Sequence, residues 1–281
     1  MRTLHPIILC ALCAAGFILL GGCSALNTAN TPEGEDATSP ANIASLTSVV
    51  QSNPNDPQAY NMRGTVLGQA ARYDEALADF NKAVSLDANY AQAYANRGLI
   101  YRQTGKLDLA LADYNRALGI DAAYAPAYLG RGLVYRDQKR LVAALQDFNR
   151  AIQLRPNSSE AYYNRGLLYQ SQRQHQFAID DFSTAIGLSI QQAAPYIARG
   201  LSSIAVNRFK EAADDLDQAV NIEPQNAQAW TSRGLAYERL NDKERAAGSY
   251  ARAMNIDQNY RAAREGFDRV GGKVGQAYQT F

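Results

Sequence analysis

Charged side chains recur along this chain in strict register. Arg63, Arg97, Arg131, Arg165, Arg199 and Arg233 stand at one constant interval, and Asp79, Asp113, Asp147, Asp181 and Asp215 follow at the same interval, with Ser249 in the last place. A row of guanidinium groups can grip an acidic ligand, because each presents a planar fork of donors to a carboxylate. The pairing can equally be internal, each Arg held by an Asp of its own segment or of the segment before it. The last copy separates the two internal geometries. Pairing within a segment leaves Arg233 facing Ser249, whereas pairing with the preceding segment gives it Asp215.

Little else in the chain can do chemistry. Its 281 residues hold three cysteines, Cys10, Cys13 and Cys23, and two histidines, of which only His175 lies beyond Gly22. One imidazole makes neither a relay nor a metal pair, so histidine-dependent triads and Cys/His metal sites are excluded, and no metal or other cofactor is expected. Asp180–Asp181 and Asp214–Asp215 are neighbours in sequence. On a helix such side chains point about 100° apart and do not converge on one substrate. A glycine-rich phosphate loop is missing, since the glycine after each Arg falls inside a helix. An enzyme is not expected.

At the start of the chain, residues 1–22 read as an export signal: Arg2, an apolar run from Ile7 to Leu20, then small residues. The run is too short for a comfortable permanent span. It closes with Leu20-Gly21-Gly22-Cys23, which resembles the lipobox of bacterial lipoproteins. That resemblance implies cleavage before Cys23 and acylation of its thiol, which would hold the chain on a lipid bilayer without spanning it. Ser24, where aspartate is absent, implies passage to the outer membrane with the domain facing the periplasm. Residues 23–40 comprise the lipidated Cys and a flexible tether of small and polar residues, Ser24 to Pro40. Removing Arg2 from the 28 basic residues leaves 27 against 27 acidic ones, so net charge favours neither nucleic acid nor an anionic membrane face.

The elements that must position the Arg and Asp rows follow from the same period. Each Arg precedes a glycine, at Gly64, Gly98, Gly132, Gly166, Gly200 and Gly234; alanines follow at Ala76, Ala110, Ala144, Ala178, Ala212 and Ala246, and again at Ala83, Ala117, Ala151, Ala185, Ala219 and Ala253. Small residues at fixed places in a constant period mean helices in close contact within a repeat array. Six full repeats run over 57–90, 91–124, 125–158, 159–192, 193–226 and 227–260. In each, the first helix is expected over repeat positions 2 to 14 and the second over 18 to 31, forming a helical hairpin. Aromatic residues at position 4 (Tyr60 to Trp230) and position 24 (Phe80, Tyr114, Phe148, Phe182 and Tyr250, with Leu216 in the fifth) plug the gaps beside the small residues. Residues 41–56 hold a half-repeat whose helix, Ala41 to Asn53, caps one end. Residues 261–281 hold a second cap, amphipathic through Ala263, Phe267 and Val270, and a loose tail after Gly271-Gly272.

This pattern resembles the tetratricopeptide repeat family, with its aromatic at 4, Gly at 8, Tyr at 11, Ala at 20, aromatic at 24 and Ala at 27. The departures are Arg at position 7, Ser203 for the aromatic at 11, and Pro at position 32 only as Pro156 and Pro224. The resemblance implies an all-α fold, an α-solenoid wound as a right-handed superhelix of six helix-turn-helix repeats between capping helices. It also implies a concave wall built from positions 2, 5, 6, 9, 12 and 13 of the first helices.

Those positions carry the candidate partner-binding groove: Asn96, Leu99, Arg102, Leu129, Leu133, Arg136, Tyr163, Asn164, Leu167, Ile197, Leu201, Ile204, Leu235 and Arg239. Leucine fills position 9 in five repeats. Two readings stay open: the leucines pack the first helices together, with Ile204 in the slot vacated at Ser203, or they form an apolar stripe rimmed by arginines that binds a partner. Members that clamp chaperone carboxylates use Lys at position 5 and Asn at position 9 of a first repeat. Asn61 and Thr65 stand there instead, so an apolar or mildly acidic peptide is the expected ligand.

A lipobox joined to such an array resembles the NlpI-type lipoproteins, which implies an adaptor for envelope proteases or peptidoglycan hydrolases. The same two features are similar to the pilotin lipoproteins of type IV pili, which implies assembly of an outer-membrane secretin. The expected partners are envelope proteins or peptides and the lipid bilayer. A homodimer is a further expectation, closed symmetric pairs being common among oligomers.

Overall fold

The computed structural model describes residues 38–278. The export signal, Cys23 and residues 24–37 of the tether lie outside the described residues, as do 279–281. Every described element is an α-helix. Helix α1 (Pro40–Ser52) is followed by six hairpins: α2 (Pro57–Gln69) with α3 (Tyr73–Leu86), α4 (Ala91–Gln103) with α5 (Leu107–Ile120), and α6 (Ala125–Asp137) with α7 (Leu141–Leu154). Then come α8 (Ser159–Ser171) with α9 (His175–Leu188), α10 (Ala193–Ala205) with α11 (Phe209–Ile222), and α12 (Ala227–Arg239) with α13 (Lys243–Ile256). The final helix is α14 (Arg261–Arg269). Repeat helices thus begin and end one residue earlier than expected, because capping residues such as Asp56, Ser158 and Asn226 sit just before position 1 and accept the first free N–H groups.

What ends each first helix is common to all six hairpins. A backbone N–H just past the helix end reaches back to a carbonyl of the last turn, as in Arg72 to Leu67 (2.8 Å), Lys106 to Tyr101 (2.8 Å) and Arg140 to Tyr135 (2.8 Å). That closure needs a left-handed residue at position 15. Gly105 supplies it in the second repeat, but Ala71, Lys139, Arg173, Asn207 and Asn241 adopt the same conformation at φ of 58° to 61°.

The hairpins stack because their small residues admit large ones. Both alanine rows are buried throughout. A Cβ at Gly64 would stand 2.9 Å from the Phe80 ring, at Gly132 2.8 Å from Phe148, and at Gly166 2.6 Å from Phe182, so the glycine row is where rings of the second helices lie on first-helix backbone. Ring size is matched to the next repeat. Tyr114 and Tyr250, which carry a hydroxyl, press on Gly130 and Gly266 at position 6 of the following unit, where any Cβ would overlap the ring; after Phe80 and Phe148 that position holds Asn96 and Asn164.

Among the described residues each first helix touches the next first helix, from α2·α4 to α12·α14, while second helices touch only first helices. Like elements come closest on the inside of a curve, so the first helices form the inner wall. At the ends, α1 leans on α2, and α14 buries Ala263 and Phe267 against the last hairpin.

Candidate functional site: the arginine ladder and the inner wall

The Arg row is internal. Arg63, Arg97, Arg131, Arg165 and Arg199 each grip the Asp of their own repeat with two hydrogen bonds, for example Arg97 Nε to Asp113 Oδ2 at 2.7 Å and Nη2 to Oδ1 at 2.7 Å. The five carboxylates are buried. Hydrogen bonding to these carboxylates raises the pKa of each of the five arginines. Burial pushes the Asp215 carboxyl up, opposed by Arg199 and helped by the like charges of Asp214 and Glu211.

Each guanidinium also reaches backward. The Nη1 of Arg97, Arg131 and Arg165 donates to Asn81, Asn115 and Asn149 at position 25 of the preceding repeat, each at 2.7 Å. Arg199 donates to Ser183 at 3.0 Å, and Arg63 to Thr47 of the capping helix at 3.4 Å. A single side chain therefore ties its own hairpin and staples it to the one before. Sequence reasoning weighed the first bond and missed the second, although the polar file at position 25 was visible.

Arg233 shows how the within-repeat geometry survives the loss of its Asp. Its Nη1 donates to Ser249 at 2.8 Å, and its Nε turns to Asp217 at 2.6 Å, the one acidic residue at position 25. Tyr237 donates to the other oxygen of Asp217 at 2.9 Å. The substitutions at 249 and 217 compensate each other. Asp217, Gly248 and Ala251 also line a cleft of about 810 Å³ beside Arg233, Trp230 and Arg252.

What remains free for a partner is the inner wall. Leu99 is 40% exposed there, while Leu129, Leu167, Leu201, Ile204 and Leu235 are half-buried. Leu133, Ile197 and Asn164 are largely enclosed, at 8, 7 and 7% exposure. Tyr163 and Leu167 pack on Phe182 and Ala198, and Leu201 and Ile204 on the cluster around Leu216 and Trp230. The leucine file thus supports the helices with one edge and presents the other. Burial raises the Tyr163 pKa.

Two of the three arginines expected on the rim are engaged within the wall. Arg102 Nε donates to Asp137 at 2.7 Å, while Arg136 donates to Asn164 at 2.9 Å and lies 3.5 Å from the same Asp137. Asp137, which sequence reading passed over, sits at position 13 of the third repeat, where its neighbours in the file are Gln103 and Ser171. Arg239 is exposed and makes no ion pair among the described residues. Toward the N-terminal end the wall is polar: Asn96 donates to Asn61 at 2.9 Å and to Thr65 at 3.3 Å. A small cleft of about 110 Å³ opens beside them, against Leu99 and Ile100.

Comparison with known proteins agrees with this geometry. The family described as TPR repeat matches residues 71–103, 98–139 and 132–172, and the family described as Tetratricopeptide repeat matches 159–189 and 197–261. The chain belongs to the tetratricopeptide repeat family. Among solved structures it is similar to the APC/C hetero-tetramer Cut9–Hcn1, with 18% identity and a TM-score of 0.71 over 81% of this chain and 45% of that one. It therefore spans about half the length of that relative. The Pseudomonas aeruginosa pilF structure matches at 21% identity and a TM-score of 0.68, over 74% of this chain and 95% of that one. YrrB, described as a TPR protein with an unusual peptide-binding site, matches at 23% identity and a TM-score of 0.57, over 66% and 96%. No curated protein matches the chain. Among the described residues no three His, Cys, Asp or Glu side chains are grouped to hold a metal ion, and no helix is long and apolar enough to cross a membrane.

Proposed function

We propose that the inner wall holds an apolar, extended or helical segment of a partner protein, and that the scaffold does this in a bacterial envelope, anchored to the outer membrane through acylated Cys23 and facing the periplasm. The observation behind this reading is the partly exposed file of Leu99, Leu167, Leu201, Ile204 and Leu235 in the second, fourth, fifth and sixth repeats, interrupted at the enclosed Leu133. With Arg102 and Arg136 already satisfied by Asp137, affinity along this wall comes from burying apolar edges rather than from gripping charge.

An adaptor that recruits envelope proteases or peptidoglycan hydrolases fits the lipobox and array together. A second reading, an assembly factor for a secretin or type IV pilus, draws support from the extent of the match to the pilF fold, which covers 95% of that chain. Crosslinking the lipidated protein in its own envelope and identifying what is captured separates the two, with Leu201→Glu/Ile204→Glu as the comparison. Hydrolases lost in the variant support the adaptor, and secretin or pilus subunits support assembly. Capture unchanged by the variant, with helicity intact, overturns the groove.

A further inference from the structure

The edge of the solenoid where each first helix turns into its second is not uniform. In the first, fifth and sixth repeats the turn is closed by an ion pair: Arg72 with Glu75 (2.7 Å), Arg208 with Glu211 (3.7 Å) and Arg245 with Asp242 (2.6 Å). In the second to fourth repeats no such pair forms among the described residues and apolar side chains stand on the turn. Leu109 is 50% exposed, Val142 73% and Phe177 59%, all at positions 18 or 19. Lys106, Lys139, Arg140 and Arg173 stand on the same three turns, all exposed and none in an ion pair among the described residues. The only other charges on these turns are Asp108, and Asp137, which Arg102 and Arg136 already engage.

These side chains form one strip. Arg102 reaches Asp137 across the second and third turns, and Arg208 reaches Gln176 at 2.9 Å across the fourth and fifth, so successive turns are neighbours. Aromatic rings back the strip: Arg140 lies 4.4 Å from the centre of the Tyr135 ring, and Phe177 packs on Tyr169 at 5.4 Å. Lys139 and Arg173 hold left-handed backbone at φ of 59° and 61°, a place where Gly105, Asn207 and Asn241 serve the other turns with less strain. The strip is a protruding edge, and none of the clefts described above reaches it.

We infer that this edge of the second to fourth repeats docks on an anionic phospholipid surface, the cations meeting headgroups while Leu109, Val142 and Phe177 enter the interface. A formal net charge of only +1 conceals the segregation that makes this surface. Projecting apolar and aromatic side chains among unpaired cations fit a flat anionic interface, whereas a peptide ligand is ordinarily held in a groove. The inference is independent of what the inner wall binds.

The test places a tryptophan at the exposed edge, Val142→Trp, in the full chain, and measures quenching by brominated lipid. Vesicles of phosphatidylcholine alone are compared with vesicles carrying phosphatidylglycerol, and Ile190→Trp, 60% exposed and away from the strip, serves as control. The N-terminal segment is the same in every sample, so only the local signal reports the edge. Quenching at 142 but not at 190, and only with the anionic lipid, is expected. Lys139→Gln/Arg173→Gln should weaken that docking about thirtyfold, from roughly fivefold per cation near an anionic surface. Equal quenching at both sites, or none at 142 in a variant whose circular dichroism is unchanged, overturns the inference. So does protection of residue 142 by an acidic protein in place of vesicles.

Discussion

Asp217→Asn isolates the one rung of the arginine ladder that departs from the rest. The Arg233 side chain is 4% exposed and Asp217, 35% exposed, is the carboxylate that compensates it. Removing one partner of a buried ion pair costs about 3–5 kcal/mol, because the remaining charge has lost its solvent and its counter-ion. Asn still accepts one hydrogen bond and the site is partly wet, so a loss of about 2–3 kcal/mol is expected, just under that range. The informative step is the rescue. Asp217→Asn/Ser249→Asp rebuilds the arrangement of Arg97, Arg131 and Arg165, with Asp at position 23 and Asn at position 25 of the repeat before. Stability should return to within about 1 kcal/mol of wild type, a coupling of neighbouring sites that only a double-mutant cycle reveals. Repeat arrays unfold by neighbouring units, so urea denaturation should be read alongside hydrogen exchange of α12 and α13. If the double variant is no more stable than Asp217→Asn alone, the two substitutions do not compensate and the account of the ladder fails.

Three further outcomes follow from the packing. Gly130→Ala should cost about 1–3 kcal/mol by forcing the Tyr114 ring from its seat, and Tyr114→Phe should recover part of it; equal thermal stability of Gly130→Ala and wild type would contradict the ring matching. Ala71→Gly should stabilise the first repeat by about 0.5–1 kcal/mol, since glycine adopts the left-handed turn without strain, and a lowered melting temperature would count against that turn geometry. Arg269 and Tyr250 hold the Glu238 carboxyl below the usual range. The stability this gives α14 is therefore present above pH of about 4.5 and lost as pH falls through the lowered folded value. Exchange of α14, corrected for the intrinsic rate, should show that step, and Glu238→Gln should abolish it.

The architecture was legible because one constraint repeats. A glycine at a fixed place in the first helix, facing a ring at a fixed place in the second, admits few arrangements, and the constant period restates the pair from Gly64 and Phe80 to Gly234 and Tyr250. The two Arg–Asp geometries were legible as alternatives, with Arg233 as the discriminating case, but the sequence did not choose between them. What escaped was the third option, that the partner itself moves to Asp217 in another helix. Asp137 escaped for a related reason. Periodicity averages over repeats, and a residue that matters in one repeat alone contributes nothing to the average. Burial along position 9 was equally invisible, since Leu99 at 40% exposure and Leu133 at 8% occupy the same column.

The departures from the period are therefore where individual behaviour has to be sought. Positions 7, 23 and 25 are engaged in holding neighbours together, and the loss of the Asp at position 23 is accompanied by a second change nearby, as Ser249 and Asp217 illustrate. Positions 12 and 13 on the inner wall and 15 to 19 on the turn edge carry fewer such obligations. They vary from repeat to repeat in a way that stacking does not require: Arg102 and Arg136 on the inner wall give way to Ile204, and ion-paired turns give way to Leu109, Val142 and Phe177. Exposed apolar surface carries a solubility cost that a purely structural array would shed by repeating its ion-paired turns. The turn edge lies at the ends of the first helices and the leucine file along their length, so a chain held at a membrane by its turns would leave Leu167, Leu201 and Leu235 open to a second protein.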